Sequence, residues 1–303
     1  MKRFYPYPSI CGQIAITLAT LTGGMMAAPG TGLAQVISQV NIQAAPTAAE
    51  AVLNQGIELI RAGQLDEALA QFEQAITLDN NLAAAHYNMG LAYRQKGQLQ
   101  EAASAFWQAV RADPYFAMAY ANLGGALIEG NNLDQAEEYL LRAIEIQPDL
   151  GNAYYNLGLV YFAQENPQAA LTALEKAGEY TPNAPESHFQ RGMIYLQQGQ
   201  NPAAQAAFQT ALDIHPHYPQ AHYNLGIALF NQGESEAALD AFRTATDLNP
   251  SYADAYYSAG LAFIRLERYD EAQGVLQHAK NLYITLGTPE WAAKAQQQIE
   301  RLP

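Results

Sequence analysis

Apolar residues recur three and four positions apart along most of the chain, in runs of about thirteen residues separated by short polar or small stretches. That spacing places each apolar set on one side of a helix, so the pattern predicts a succession of amphipathic helices. The runs come in pairs, and the pairs repeat. Glycine stands at Gly56, Gly90, Gly124, Gly158, Gly192, Gly226 and Gly260, each 34 residues after the last. Twelve residues further on comes an alanine (Ala68, Ala102, Ala136, Ala170, Ala204, Ala238, Ala272), and seven beyond that another (Ala75, Ala109, Ala143, Ala177, Ala211, Ala245, Ala279). Between the alanines sits a large apolar residue: Phe72, Phe106, Leu140, Leu174, Phe208, Phe242 or Leu276.

Small residues seven apart share one helical face and let a second helix approach closely, while the large residue between them fills the remaining space. A helical hairpin cannot bury its apolar face alone, so seven of them in register predict a stacked array. Five units end in proline (Pro114, Pro148, Pro182, Pro216, Pro250), which stops the helix and opens a turn. Asn166-Pro167 and Asn201-Pro202 are expected to supply the N-cap and first turn of second helices.

The order Leu-Gly, aromatic or leucine, Ala, Phe, Ala, Pro resembles the tetratricopeptide repeat. Ala83 to Phe116 carries it most fully, with Met89, Gly90, Tyr93, Ala102, Phe106, Ala109 and Pro114 in register. The resemblance covers residues 49–286 without insertion, in units starting at 49, 83, 117, 151, 185, 219 and 253. It departs only at the ends, with Asn80 in the proline position of the first unit and Ile284 in that of the last. The resemblance implies an all-α fold, a right-handed α-solenoid of helix-turn-helix units that binds a protein or peptide partner. Beyond it, Thr288-Pro289-Glu290 signals a new helix, and Trp291, Ala295, Ile299 and Leu302 form one apolar stripe. Residues 287–303 are therefore expected to be a C-terminal capping helix.

In the family the concave face is lined by first helices. The stripe of His86, Met89, Gly90 and Tyr93 is expected to pack on the unit's own second helix, and that of Tyr87, Leu91 and Arg94 to face the groove. Read through the units, the groove stripe gives candidate ligand-binding residues in three rows. Tyr87, Tyr155, Phe189, Tyr223 and Tyr257 lie three before the glycine; Leu91, Leu159, Met193, Ile227 and Leu261 lie one after it; Phe162 and Phe230 lie four after it. Exposed apolar surface of this kind marks a contact site. Neighbouring first helices burying the stripe against one another is the other reading.

Two before the glycine runs a carboxamide row, from which Asn88, Asn122, Asn156 and Asn224 join the candidate set. Amides that donate and accept can bind the backbone of an extended peptide without reading its sequence, as in peptide-binding members of the family. Bonding to a neighbouring unit is the alternative. Cations on this face are few and far apart (Arg61, Arg94, Arg265), which disfavours a clamp for a partner's carboxylates and suits an apolar or amphipathic helix or an extended apolar segment.

The 303 residues would ordinarily suggest about two domains, a limit that a repeat array escapes. A formal net charge of −14 with no Lys/Arg cluster argues against nucleic acid. Residues 1–34 resemble an export signal: Lys2 and Arg3, an apolar stretch from Ile10 to Ala28, and Gly32-Leu33-Ala34 before a cleavage point ahead of Gln35, with 35–48 as a linker. An uncleaved membrane anchor is the rival reading, against which stand Gly12, Gly23, Gly24 and Pro29. Cleavage would leave 13 basic and 29 acidic residues, a charge of −16, and would remove Cys11, the sole cysteine. The sequence thus points to an exported scaffold in a periplasmic or equivalent lumenal space, serving as an assembly factor or chaperone for envelope or membrane complexes. The alternative is a homo-oligomer that buries the groove or the Trp291 helix against another copy.

Chemistry finds little support. His215-Pro216-His217, with Asp213 and His222 nearby, has no recognised ligand spacing, so neither metal nor cofactor is expected. There is no G-x-S-x-G elbow and no glycine-rich phosphate loop, and carboxylates such as Asp66-Glu67 and Glu137-Glu138 fall on solvent-facing positions. No enzymatic activity is expected.

Overall fold

The computed structural model describes residues 46–303. The expected export segment and residues 35–45 of the linker lie outside the described residues. Among the described residues all regular structure is helical. The first helices of the units are α1 (Ala48–Arg61), α3 (Ala83–Gln95), α5 (Ala117–Glu129), α7 (Gly151–Ala163), α9 (Glu186–Gln197), α11 (Pro219–Gln232) and α13 (Ala253–Arg265). The second helices are α2 (Leu65–Leu78), α4 (Leu99–Ala112), α6 (Leu133–Ile146), α8 (Pro167–Tyr180), α10 (Asn201–Ile214), α12 (Ser235–Leu248) and α14 (Tyr269–Thr285), and α15 (Pro289–Glu300) follows.

Within each unit the two helices meet along the seam that the glycine and alanine rows predict. All fourteen alanines of the two second-helix rows are fully buried. Phe72, Phe106, Phe208, Phe242, Leu140 and Leu276 are 0% exposed and Leu174 is 1%. A Cβ placed on Gly90 would stand 2.6 Å from Phe106 Cε1, and one on Gly158 would stand 2.7 Å from Leu174 Cγ. The ring or leucine head therefore lies directly on the glycine backbone, and each such burial contributes roughly 1.5–3 kcal/mol.

A second periodic feature closes every first helix. The residue seven after the seam glycine takes a left-handed conformation in all seven units: Gly63, Gly97, Gly199 and Gly233, but also Asn131 (φ 58°), Glu165 (φ 60°) and Glu267 (φ 59°). The following amide bonds back across the turn, as Gln98 N does to Tyr93 O and Asn166 N to Tyr161 O, so orphan carbonyls at the helix end are satisfied. Glutamate carries a Cβ that glycine lacks and is strained there.

The caps match expectation in one unit and not in another. Asn166 is the N-cap of α8 and accepts a bond from Ala169 N. Asn201 is already the first residue of α10, whose N-cap is Gln200; its Oδ1 instead accepts from Asn231 Nδ2 of the next unit. Every second helix begins nine residues after its seam glycine; Asn166 lies eight after Gly158 and Asn201 nine after Gly192, so the Asn-Pro signal misplaces the second cap by one residue.

Every helix packs on the next in sequence, and first helices also touch one another (α1 on α3, α5 on α7, α9 on α11, α11 on α13), whereas no two second helices meet as extensively. First helices therefore crowd on the inner side of the stack. At the C-terminal end α15 packs on α14, with Trp291 stacked on Tyr283 (5.9 Å between ring centroids) and edge-on to Tyr257 (6.1 Å).

Candidate functional site

The inner, first-helix face carries all sixteen residues singled out from the sequence. None of them is exposed: Asn122, Tyr223 and Tyr257 are buried and the other thirteen are half-buried. The stripe is a layer between units rather than an open row of rings. Tyr87 lies against Phe106 of its own second helix and Phe116 at the entry to the next unit, at 5.7 and 4.8 Å between centroids. Phe189 sits in the same way between Phe208 and Tyr218, and Tyr223 between Phe242 and Tyr252. Each of these three rings thus wedges its unit against the following one, and an aromatic ring in such a place adds specific geometry to its buried area. The third partner recurs 26 residues after the glycine at Phe116, Tyr218 and Tyr252, a row readable in the sequence but absent from the candidate set.

The carboxamide row is also tied between and within units. Asn122 Nδ2 donates to Met118 O at 2.9 Å and to Tyr87 Oη at 3.2 Å, and its Oδ1 accepts from Arg94 Nη1 at 2.9 Å. Asn156 Nδ2 reaches back to Ala121 O at 3.4 Å, over Gly125, where a Cβ would meet that nitrogen at 3.2 Å. Asn88 and Asn224 donate to carbonyls one turn earlier, Ala84 O and Gln220 O. Burial pushes the Tyr87 phenol up, with the Arg94 charge and the Asn122 bond pulling the other way. Burial likewise raises Tyr155, with Gln190 of the next unit pulling the other way.

What stays available is the row one after the glycine. Leu91, Met193, Ile227 and Leu261 are half-buried against the core, and Leu159 is half-buried outside any core cluster. Phe162, four after the glycine, packs instead with Tyr155 on the Ala170 and Leu174 cluster. In the first unit, Asn54, Ile57, Glu58 and Arg61 line a depression of about 810 Å³. The cations of this face are committed internally. Arg94 serves Asn122, Arg61 pairs with Glu58, and Arg265 lies 3.5 Å over the Phe230 ring while donating to Phe230 O. The histidines are engaged too: His86 Nε2 donates to Asn80 O, His222 Nε2 to Pro216 O, and His215 lies edge-on to Tyr218. Among the described residues no three His, Cys, Asp or Glu side chains converge, and no helix is long and apolar enough to cross a membrane.

Stacked helical hairpins with interlocked inner faces define the class of helical-repeat interaction scaffolds. A profile described as tetratricopeptide repeat matches residues 87–151, 126–188, 155–219, 189–246 and 223–280, and one described as TPR repeat matches 56–97. The chain belongs to the tetratricopeptide repeat family, whose members hold protein or peptide partners. No curated protein matches it. Among solved structures it is similar to YrrB, described as a TPR protein with an unusual peptide-binding site (26% identity, TM-score 0.55, covering 64% of this chain and 99% of that one). It shares its fold with PilW, a type IV pilus biogenesis factor (19% identity, TM-score 0.63, 70% and 97% covered). It also shares it with a repeat protein from Parabacteroides merdae (16% identity, TM-score 0.60, 82% and 98% covered).

Proposed function

We propose that this protein is a non-enzymatic scaffold that holds an apolar segment of another polypeptide, helical or extended, along its first-helix face. The row one after the glycine carries this reading. Ile57, Leu91, Leu159, Met193, Ile227 and Leu261 keep an apolar side chain at one position on the inner side of six units, the third having Gly125 there, and none of them is fully buried. Partner contact would finish the burial that the array leaves incomplete, at roughly 25 cal/mol per Å² before ordering costs. The similarity to peptide-binding YrrB supports a polypeptide occupant. With Arg61, Arg94 and Arg265 engaged within the chain, an apolar occupant fits better than an acidic one. The features of residues 1–34 add an exported location and an envelope or membrane client to the proposal.

Leu159→Asp is the variant of choice, because Leu159 lies outside the core clusters, whereas changing Phe162 would also open the Ala170 cluster. Affinity capture from the native cells should bring down an envelope or membrane polypeptide with the parent chain and not with the variant, at unchanged helicity. Equal capture by both would remove the first-helix face from the proposal. A molar mass that rises with concentration, with no other polypeptide captured, would make the face a contact between copies.

A further inference from the structure

We propose that the cavity between α8 and α9 binds a small zwitterion of the free amino acid class, with Arg191 taking its carboxylate and Glu175 its ammonium group. The position one before the seam glycine is filled by Gln55, Met89, Leu123, Leu157, Arg191, Leu225 and Ala259, so unit five alone places a charge there. Leu123 and Leu157 are buried core residues at that position. Arg191 is half-buried, its Nε is shielded from solvent without a hydrogen-bond partner, and among the described residues it forms no ion pair. Replacing a core leucine by an unpaired guanidinium sacrifices apolar burial and leaves a donor unsatisfied, a cost that calls for an acceptor.

The surroundings supply a container for that acceptor. A cavity of about 320 Å³ opens beside Arg191, near the lower end of the size range of small-molecule sites. Two helical faces line it, Gln168, Leu171, Thr172 and Glu175 from α8 and Arg191 and Tyr195 from α9, with Gln198 capping the end of α9. The lining is almost wholly polar, unlike the inner face on which a polypeptide is proposed to lie. Gln200 Nε2 donates to Gln198 Oε1, which fixes that amide at the rim. Glu175 is exposed, and among the described residues it too makes neither ion pair nor hydrogen bond.

One free cation and one free anion in a single small polar cavity select the ligand. A simple anion would meet Glu175 and the field of a chain with formal charge −14. A simple cation would meet Arg191. A molecule that is neutral overall, with its two charges a few bonds apart, satisfies both.

Titration calorimetry on the full chain tests this with L-glutamine and glycine as probes, and with N-acetyl-L-glutamine and L-glutaminamide as analogues lacking one charge each. Saturable binding of at least one free amino acid is expected, weakened by about tenfold or more in Arg191→Leu, in Glu175→Gln and on capping either end. Arg191→Leu installs the residue of units three, four and six, so its circular dichroism should be unchanged and its Tm at or above the parent's. Absence of saturable binding by either free amino acid overturns the proposal, as does binding that survives Arg191→Leu or is indifferent to capping. Non-additive effects of Arg191→Leu and Glu175→Gln on Tm without ligand would show that the two pair with each other, and would overturn it as well.

Discussion

The two faces of each first helix follow the same period of 34 residues and are built on different principles. The face toward the unit's own second helix is a dry seam in which glycine meets Phe or Leu with no room for a methyl group, and its composition scarcely varies from unit to unit. The face toward the next unit mixes wedged rings, carboxamides and arginines, and its detail changes along the array. Tyr87 bonds Asn122 in one junction, Asn156 reaches Ala121 O in the next, and Arg265 covers Phe230 further on. The seam holds each hairpin together. The junction sets how hairpins stack and leaves a row of apolar side chains only partly covered, so it is where function can vary without loss of the fold.

The sharpest test of this contrast is Phe208→Ala. Emptying a fully buried seam position should cost about 3–5 kcal/mol, read as a fall in urea midpoint. Gly90→Val comes next: its Cβ would collide with the Phe106 ring, and overpacking of this kind costs about 1–3 kcal/mol in the same measurement. Asn122→Ala belongs to the junction and should cost about 1–2 kcal/mol through the bonds it makes to Arg94, Tyr87 and Met118 O. A loss there as large as that of Phe208→Ala would erase the distinction between the faces. Glu165→Gly should instead gain about 1 kcal/mol by relieving the left-handed residue, raising Tm with no change in capture.

The smallest effect is one of pH. Burial, and then the charge of Arg191, lowers the His188 pKa below its ordinary value of 6.5. The folded state therefore favours the neutral ring, and as pH falls the unfolded chain takes up the proton first. The contribution is whole above pH 6.5 and is lost as pH drops below it, so His188→Gln should flatten the decline of Tm measured from about pH 7.5 to 5.

The period, the hairpin, the seam and the extra C-terminal helix were all legible in the residues, because each depends on small and large side chains at fixed positions on one helix. The left-handed turn was half legible. Gly63, Gly97, Gly199 and Gly233 mark it, yet Asn131, Glu165 and Glu267 adopt it without a glycine signal, since the stack fixes where the second helix must start. The cap at Asn201 was misread by one residue because it stands nine residues after Gly192, where every second helix has already begun, whereas Asn166 stands eight after Gly158.

The candidate site divides along the same line. That Tyr87, Phe189 and Tyr223 share one face with Leu91, Met193 and Ile227 follows from helical periodicity alone. That the first three are wedged between hairpins while Leu159 keeps part of its surface free does not. Sequence by itself determined what each helix offers, a dry seam on one side and a mixed apolar and amide stripe on the other. Only the tertiary structure decided which offers are taken up within the chain, because that depends on how far one hairpin is shifted and turned against the next, and no single residue encodes that quantity.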